Sequence, residues 1–275
     1  MPRVADQDEL PAWSLPSGRE ERVRPGAWPA PATWEWAFAG ATGEGVRVCI
    51  LDSGLEQDHP LVGPVDKAVV VSSHDGEITV EDDREGDLSG HGTACASIVR
   101  ALAPAASIAS VRVLGADVTG SGDVLIGGLR HALEEGYDII NLSLSTRRRQ
   151  LALELHELAD RAYFRKTMLV CSAHNRALES YPWRFAAVVS VGSHEEPDSQ
   201  LHFYNPRPPV EFFARGVNVE VAWLGGATIR ATGNSFATPH VSGLLALLRS
   251  KHPDLTTFET KSALYLTAAN VAGGP

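Results

Sequence analysis

The chain is poor in cysteine, with three in 275 residues: Cys49, Cys95 and Cys171. An odd number of cysteines, each inside an apolar segment, does not form a disulfide framework of the kind that stabilises small secreted domains. The first twenty residues also lack the basic head and apolar middle of a secretory signal. We therefore expect reduced thiols and a cytoplasmic protein.

Long apolar runs and an excess of positive charge are missing as well. The longest apolar run lies around Leu244 to Leu248, far short of the roughly 20 residues that a membrane-spanning helix needs. Lys and Arg number 24 against 34 Asp and Glu, which gives a net charge of −10. These features argue against a membrane and against a nucleic acid as the main partner of the protein surface.

Low-complexity linkers and internal repeats are absent from the sequence, which argues for one globular domain. Residues 1–40 are rich in proline, tryptophan and charge without sustained periodicity, so we expect an extended N-terminal arm. A short helix is predicted within it, at Thr33 to Ala39. Residues 41–275 form the predicted globular domain.

Strand-like and helical segments alternate along that domain. Apolar runs that end in small or polar residues predict strands at 45–54, 107–117, 137–145, 167–175 and 186–193. The segments between them have apolar residues at helical spacing, so the alternation predicts an α/β fold with a mostly parallel central sheet flanked by helices. A β-hairpin is predicted within 210–231 and a closing helix at 254–269.

Three polar residues stand at the ends of these elements, where α/β sheets place their sites. Asp52 follows the first strand, His91 begins a helix, and Ser235 lies at the start of an apolar helix. Each alone is explained by a turn or a helix cap. Together they permit an imidazole, oriented by a carboxylate, to deprotonate a hydroxyl, which makes a nucleophile at neutral pH.

The order Asp, His, Ser and the local sequences DSG, HGT and GNSFATPHVSG resemble the subtilisin-like serine proteases. The resemblance runs from about Gly45 to Ala269. It implies a subtilisin-like three-layer sandwich and an endopeptidase that acts through an acyl-enzyme. By this resemblance, Asp52 would orient the imidazole, His91 would be the general base and then the acid, and Ser235 would attack the peptide carbonyl.

The same resemblance implies further site residues. The stretch CSAHN matches the family segment that supplies an oxyanion donor, which would be Asn175. The family binds its substrate as an added strand between two segments, and the matching positions here are Gly120, Gly122, Ser143, Leu144, Ser145, His174 and Arg176. We expect Gly120 and Gly122 to leave backbone accessible to the substrate.

The sequence departs from the family in several places. The loop that wraps a tight calcium ion in many members is missing after the His motif, so neither a metal nor a cofactor is expected. Ser145 and His174 replace family glycines that line the primary pocket, and the loop from Asn175 to Tyr181 is short, so the family's specificity does not transfer. The N-terminal arm is too short for the family's pro-domain, so we expect either that the catalytic domain folds unaided or that the arm itself covers the cleft.

Cys95 lies one helical turn after His91 and is interpreted as a core thiol or, alternatively, as a thiol that mercurials would reach. The remaining histidines considered show no metal-ligand spacing and are interpreted as structural or exposed. These are His59, His131, His156, His202 and His240.

A run of three arginines, Arg147 to Arg149, and Arg176 flank the expected cleft. They suggest a preference for acidic substrates. The competing interpretation is that the run is solvated and that Arg176 pairs with Glu179.

The leading hypothesis is an intracellular serine endopeptidase that acts on peptide or protein substrates, for instance in trimming a peptide precursor. Two alternatives stay open from the sequence. One is a peptide-binding protein that has lost turnover because His174 or the short loop spoils the site. The other is an esterase or ligase, since the same acyl-enzyme can react with other nucleophiles. Oligomeric state is left open.

Overall fold

The computed structural model describes residues 32–271. Most of the expected N-terminal arm, residues 1–31, lies outside this range. The short helix predicted at Thr33 to Ala39 is confirmed as α1, Trp34–Phe38. The Thr33 side chain caps it by accepting a hydrogen bond from the amide of Trp36, at 3.1 Å. The ammonium of Lys251 donates to two carbonyl oxygens at the ends of α1 and so ties the helix to the globular domain.

The other elements follow in chain order. They are β1 Arg47–Asp52, β2 Lys67–His74, β3 Glu77–Asp82, α2 His91–Leu102, β4 Ser107–Arg112, α3 Gly122–Glu135, β5 Ile139–Leu142, α4 Ala152–Phe164, β6 Met168–Ser172, β7 Val189–His194, β8 His202–Tyr204, β9 Phe212–Arg215, β10 Val219–Trp223, β11 Ala227–Ala231, α5 Asn234–Lys251 and α6 Thr257–Leu266.

Nine strands of the described residues form one sheet, in the order β3-β2-β4-β1-β5-β6-β7-β9-β8. All five predicted parallel strands are present, as β1, β4, β5, β6 and β7, and they pair in parallel with their neighbours. The predicted hairpin is confirmed as β10 and β11, which form a separate antiparallel pair. The outer two strands on each side of the sheet, β3 and β2 on one side and β9 and β8 on the other, were not predicted.

Helices cover both faces of the sheet and make three layers. β1 is apolar on both faces, and its residues Val48 to Leu51 are completely buried. Alternate residues such as Cys49 and Leu51 share one core with α3 and α4. The opposite face packs against α2 and α5, and α6 lies against α5. The predicted α/β sandwich with a mostly parallel central sheet is therefore confirmed.

Within residues 32–271, no helix is both long enough and apolar enough to cross a membrane.

Candidate active site

Three neighbouring strands of the sheet, β1, β5 and β6, run in parallel. Their carboxyl ends therefore meet at one edge. β1 ends at Asp52, β5 is followed by Ser143, and β6 is followed by the segment that leads to Asn175. This edge collects side chains that are far apart in the sequence.

Asp52 and His91 are joined directly. Nδ1 of His91 lies 2.8 Å from Oδ1 of Asp52. The Asp52 side chain is fully buried, while the His91 side chain retains 13% of its exposure. Because a carboxylate only accepts hydrogen bonds, Nδ1 carries a proton, and Nε2 of the neutral ring is left as the acceptor. His91 therefore presents a base to the cleft.

The pKa of His91 results from opposing effects. Burial alone would lower it, but the charge of Asp52 and its hydrogen bond favour the imidazolium, with a further contribution from the charge of Asp87. The pKa of His91 consequently lies above its ordinary value of 6.5. A base that is readily protonated suits the acceptance of a proton during the reaction.

Glycines permit the close approach of the two motifs that carry this pair. A side chain on Gly92, the second residue of α2, would collide with the carbonyl oxygen of Gly54. The glycine in HGT thus allows the start of α2 to pack directly against the DSG turn after β1. This contact brings His91 within hydrogen-bonding distance of Asp52.

Asp87 supports the same loop, and the sequence analysis missed it. Its carboxylate accepts hydrogen bonds from the Ser53 hydroxyl at 2.8 Å and from the amides of Ser89 and Gly90 at 3.0 and 2.9 Å. It also accepts from the amide and the hydroxyl of Thr93, at 2.8 and 2.6 Å. Asp87 therefore caps the first turn of α2, for which the left-handed Gly90 offers no side chain. An aspartate four residues before a helix that lacks a capping side chain is the sequence signal that would have identified it.

Ser235 is the second residue of α5, and a proline on the same helix shapes its surroundings. Pro239 has no N–H, so it cannot donate to the carbonyl oxygen of Ser235, four residues earlier. That carbonyl oxygen instead accepts a hydrogen bond from the Ser143 hydroxyl at 2.8 Å. The thiol of Cys95 also donates to it, at 3.7 Å. Because of Pro239, the carbonyl oxygen of Ser235 is thus free to bond Ser143 and Cys95, and these contacts hold the first turn of α5 in place.

The hydroxyl of Ser235 donates to the carbonyl oxygen of Ser143 at 3.2 Å and makes no hydrogen bond to His91. The rings of His91 and Phe236 lie 5.5 Å apart, so the imidazole sits beside the first turn of α5. The structure therefore brings together all three residues of the predicted triad, with the serine turned toward Ser143.

Asn175 adjoins Ser235 from the other side. Its Oδ1 accepts a hydrogen bond from the amide of Asn234, the residue before Ser235, at 2.9 Å. Asn234 is itself held by the hydroxyl of Ser193 and by the carbonyl oxygen of Ala173. Asn175 is an exposed residue, and its Nδ2 donates no hydrogen bond within residues 32–271, so this amide group is available as a donor. The role of Asn234 as the anchor of this side chain was not predicted.

The predicted substrate-binding residues differ in accessibility. Ser143 is buried, Leu144 and Ser145 are half-buried, and Gly120 is exposed. The expectation of accessible backbone at Gly122 is wrong. Gly122 is the buried first residue of α3, and a side chain there would collide with Leu151.

The predicted pocket residues His174 and Arg176 lie on one short turn, in which His174 is half-buried and Arg176 is exposed. Nδ1 of His174 lies 3.0 Å from the amide nitrogen of Arg176, which donates to it. The imidazole is therefore bound to the backbone of its own loop. On the facing segment, the hydroxyl of Ser145 lies 3.0 Å from that of Ser180.

Comparison with known proteins agrees with this architecture. The profile of the subtilase family matches residues 43–275. The chain is 31% identical over 243 residues to Subtilisin BL of Lederbergia lenta, with 84% of this chain and 86% of the relative covered. It is 31% identical to Subtilisin E of Bacillus subtilis (strain 168), of which it spans 62%. A crystal structure of a cold adapted subtilisin-like serine proteinase superimposes with a TM-score of 0.64 at 24% identity, over 81% of this chain and 82% of that one. The chain belongs to the subtilase family and is a subtilisin-like serine endopeptidase.

Proposed function

We propose that Ser235 is the nucleophile, His91 the general base and then acid, and Asp52 the residue that orients the imidazole. The observation that carries this proposal is the 2.8 Å hydrogen bond between buried Asp52 and His91, at the point where the first turn of α5 begins. Nε2 of His91 accepts the proton of the Ser235 hydroxyl as Oγ bonds to the peptide carbonyl carbon. The same proton then passes to the leaving amine, and water hydrolyses the resulting ester by the reverse sequence.

Two donors are available for the negative charge that develops on the substrate oxygen. The amide of Ser235 has no acceptor among the described residues and points from the N-terminus of α5, where the helix dipole is positive. The side-chain amide of Asn175 is the second, since its oxygen is held by Asn234. Donors fixed before the reaction stabilise the transition state without reorganisation.

A peptide substrate would lie along the exposed segments that flank this edge of the sheet. Gly120 and the backbone of Ser143 to Ser145 are the candidates for pairing with an added strand. The net charge of −10 does not favour nucleic acid as a partner.

For the cellular role, we propose an intracellular enzyme that processes a peptide precursor. The cysteines support a reducing compartment, since Cys49, Cys95 and Cys171 are all free and buried. Burial raises the pKa of all three thiols, so they remain protonated and unreactive. Cleavage-site mapping on a peptide library by mass spectrometry tests the processing role, because broad cleavage without a sequence preference contradicts it.

Covalent labelling tests the catalytic assignment. A fluorophosphonate probe should label the wild-type protein at Ser235, because only an activated serine displaces fluoride from phosphorus. The Ser235→Ala variant should fold but neither react nor cleave peptides, since loss of one hydroxyl opens no large cavity. Ser250→Ala, which removes a hydroxyl from the same helix far from the site, is the matched control and should keep both activities. Turnover by Ser235→Ala would refute the assignment.

The same labelling experiment tests the alternative that the protein binds peptides without cleaving them. That alternative is favoured by one observation, the Ser235 hydroxyl directed to Ser143 and away from His91. A protein that has lost turnover would bind peptides but leave Ser235 unlabelled. We expect labelling, because the imidazole of His91 lies beside the first turn of α5, which carries Ser235.

A further inference from the structure

One side of the active-site cleft carries five arginines against a single carboxylate. The segments 145–149 and 174–184 contain Glu179 as their one acidic residue. Thr146 and Tyr181 join the two segments through a pair of backbone hydrogen bonds, each 2.9 Å long. The arginines are therefore carried by one surface region that is built from two adjacent segments. We call this surface the arginine rim: Arg147, Arg148, Arg149, Arg176 and Arg184.

The rim begins at the reacting groups. The carbonyl oxygen of Ser143, four residues before Arg147, accepts the hydrogen bond of the Ser235 hydroxyl. Four residues of extended chain span at most about 14 Å. Arg176 is closer still, because it directly follows Asn175, whose side chain is bound to the residue before the nucleophile. A substrate bond held at Ser235 would thus have the rim beside it.

The single carboxylate of the rim is already engaged. Glu179 lies 3.8 Å from the guanidinium of Arg149 and 3.7 Å from that of Arg184. It also accepts a hydrogen bond from the Tyr181 hydroxyl at 2.9 Å. The interpretation in which Arg176 pairs with Glu179 is therefore wrong.

Among the described residues, three arginines of the rim have no negatively charged partner. Arg147, Arg148 and Arg176 are exposed, and within residues 32–271 their guanidinium groups have no ion pair or hydrogen bond. Like charges on one surface repel each other, and a carboxylate ligand would relieve that repulsion. A guanidinium also matches a carboxylate with two parallel hydrogen bonds. This positive surface belongs to a chain whose net charge is −10, so it is a local feature and not the general charge of the protein.

We propose that the arginine rim selects peptides with an acidic side chain within a few residues of the scissile bond, with Arg176 as the principal contact. The proposal rests on the proposed function, since the rim is defined by its position beside Ser235. Long-range attraction would raise the association rate of acidic peptides, and a bidentate contact would hold the acidic side chain at the rim.

Pairs of peptides that differ only by Glu or Gln at one position test the proposal, because the two side chains have nearly the same shape. The Glu peptide should be cleaved with a kcat/KM roughly 5- to 10-fold higher at low ionic strength. The ratio should approach one in about 1 M sodium chloride, where the screening length is about 3 Å. The ratio should also fall in the Arg176→Gln variant. It should fall further in the triple variant that combines Arg147→Gln, Arg148→Gln and Arg176→Gln.

Arg207→Gln is the matched control. Arg207 is exposed and lies in the loop before β9, at the amino end of that strand. Because β9 runs parallel to β7, its amino end lies on the side of the sheet opposite the carboxyl ends that carry the active site. Its removal subtracts the same charge from the protein but should leave the Glu to Gln ratio unchanged.

Two results would overturn the proposal. One is an equal kcat/KM for the Glu and Gln peptides at low salt, and the other is a preference that survives loss of all three unpaired arginines. Fluorophosphonate labelling of Ser235 in the same samples separates these results from failure of the proposed function. Labelled enzyme that cleaves both peptides equally refutes the selectivity alone, whereas unlabelled enzyme that cleaves neither refutes both.

Discussion

Asp87 shows how one buried side chain controls both the position and the charge of another. Its five hydrogen bonds join the turn after β1 to the first turn of α2, and so fix the relative positions of Asp52 and His91. Its negative charge also stabilises the imidazolium of His91. Asp87 acts through His91 and is a positioning residue.

Replacement of Asp87 by Asn should move the acidic limb of the kcat/KM profile to lower pH. Loss of the negative charge destabilises the imidazolium and lowers the pKa of His91, so the base stays neutral in more acidic solution. The plateau should fall roughly 10-fold, because a small displacement of the base slows proton transfer.

Asp83→Asn is the control for this change. Asp83 is equally buried in the same loop, but it pairs with Arg112 and does not contribute to the pKa of His91. It should leave the acidic limb in place. An acidic limb that is unchanged in folded Asp87→Asn would contradict the electrostatic role.

At the scale of elements, the site depends on the contact between α2 and α5. These helices carry His91 and Ser235 at their amino ends, and they pack closely further along. A side chain on Gly243 of α5 would lie 2.8 Å from Cβ of Leu102 at the end of α2. The distance between His91 and Ser235 is therefore set partly by a glycine eight residues after Ser235.

Gly243→Val should force the helices apart. We expect the free energy of unfolding to fall by about 2 kcal/mol, since overpacking a dense core typically costs this much. We also expect lower kcat/KM, because the helix ends would shift. Denaturant unfolding and steady-state kinetics measure both effects.

The matched control is Gly115→Val, where an added Cβ would meet nothing closer than 3.5 Å. It should change stability and activity less than Gly243→Val does. Equal effects at both glycines would mean that the contact between α2 and α5 does not set the geometry.

At the scale of the whole molecule, a buried histidine links stability to pH. His240 is 3% exposed, and Nδ1 lies 2.8 Å from the carbonyl oxygen of Phe236. Burial, with smaller contributions from the positive charges of Arg215 and His194, lowers the pKa of His240 to about 4. The native state therefore holds this side chain in its neutral form.

The native state should lose stability as the pH falls from about 6.5 to about 4. In that window the unfolded chain binds a proton at His240 and the folded protein does not, so acid favours unfolding by about 3 kcal/mol in total. Thermal unfolding measured across this range should show a smaller slope in His240→Gln. His156→Gln, at a half-exposed position, is the control and should keep the wild-type slope. An unchanged slope in folded His240→Gln would contradict the assignment.

The sequence alone predicted the parts of the fold that depend on neighbouring residues. The interior strands are buried on both faces, so they stand out as continuous apolar runs, and the polar residues that end them mark Asp52, Ser143 and Asn175. The edge hairpin of β2 and β3 gave no such signal. β3 is mostly exposed and charged, and its strand conformation depends on pairing with β2.

Only the tertiary structure decided which distant side chains meet. It directed the carboxylate of Asp87 to the first turn of α2, paired Glu179 with Arg149 and Arg184, and left Arg176 unpaired. It also buried Gly122, which the sequence analysis had expected to be accessible. Periodicity and motifs report the conformation of adjacent residues. The partner of a carboxylate or an arginine depends on which segments the folded chain places within a few ångströms of it, and no local pattern encodes that distance.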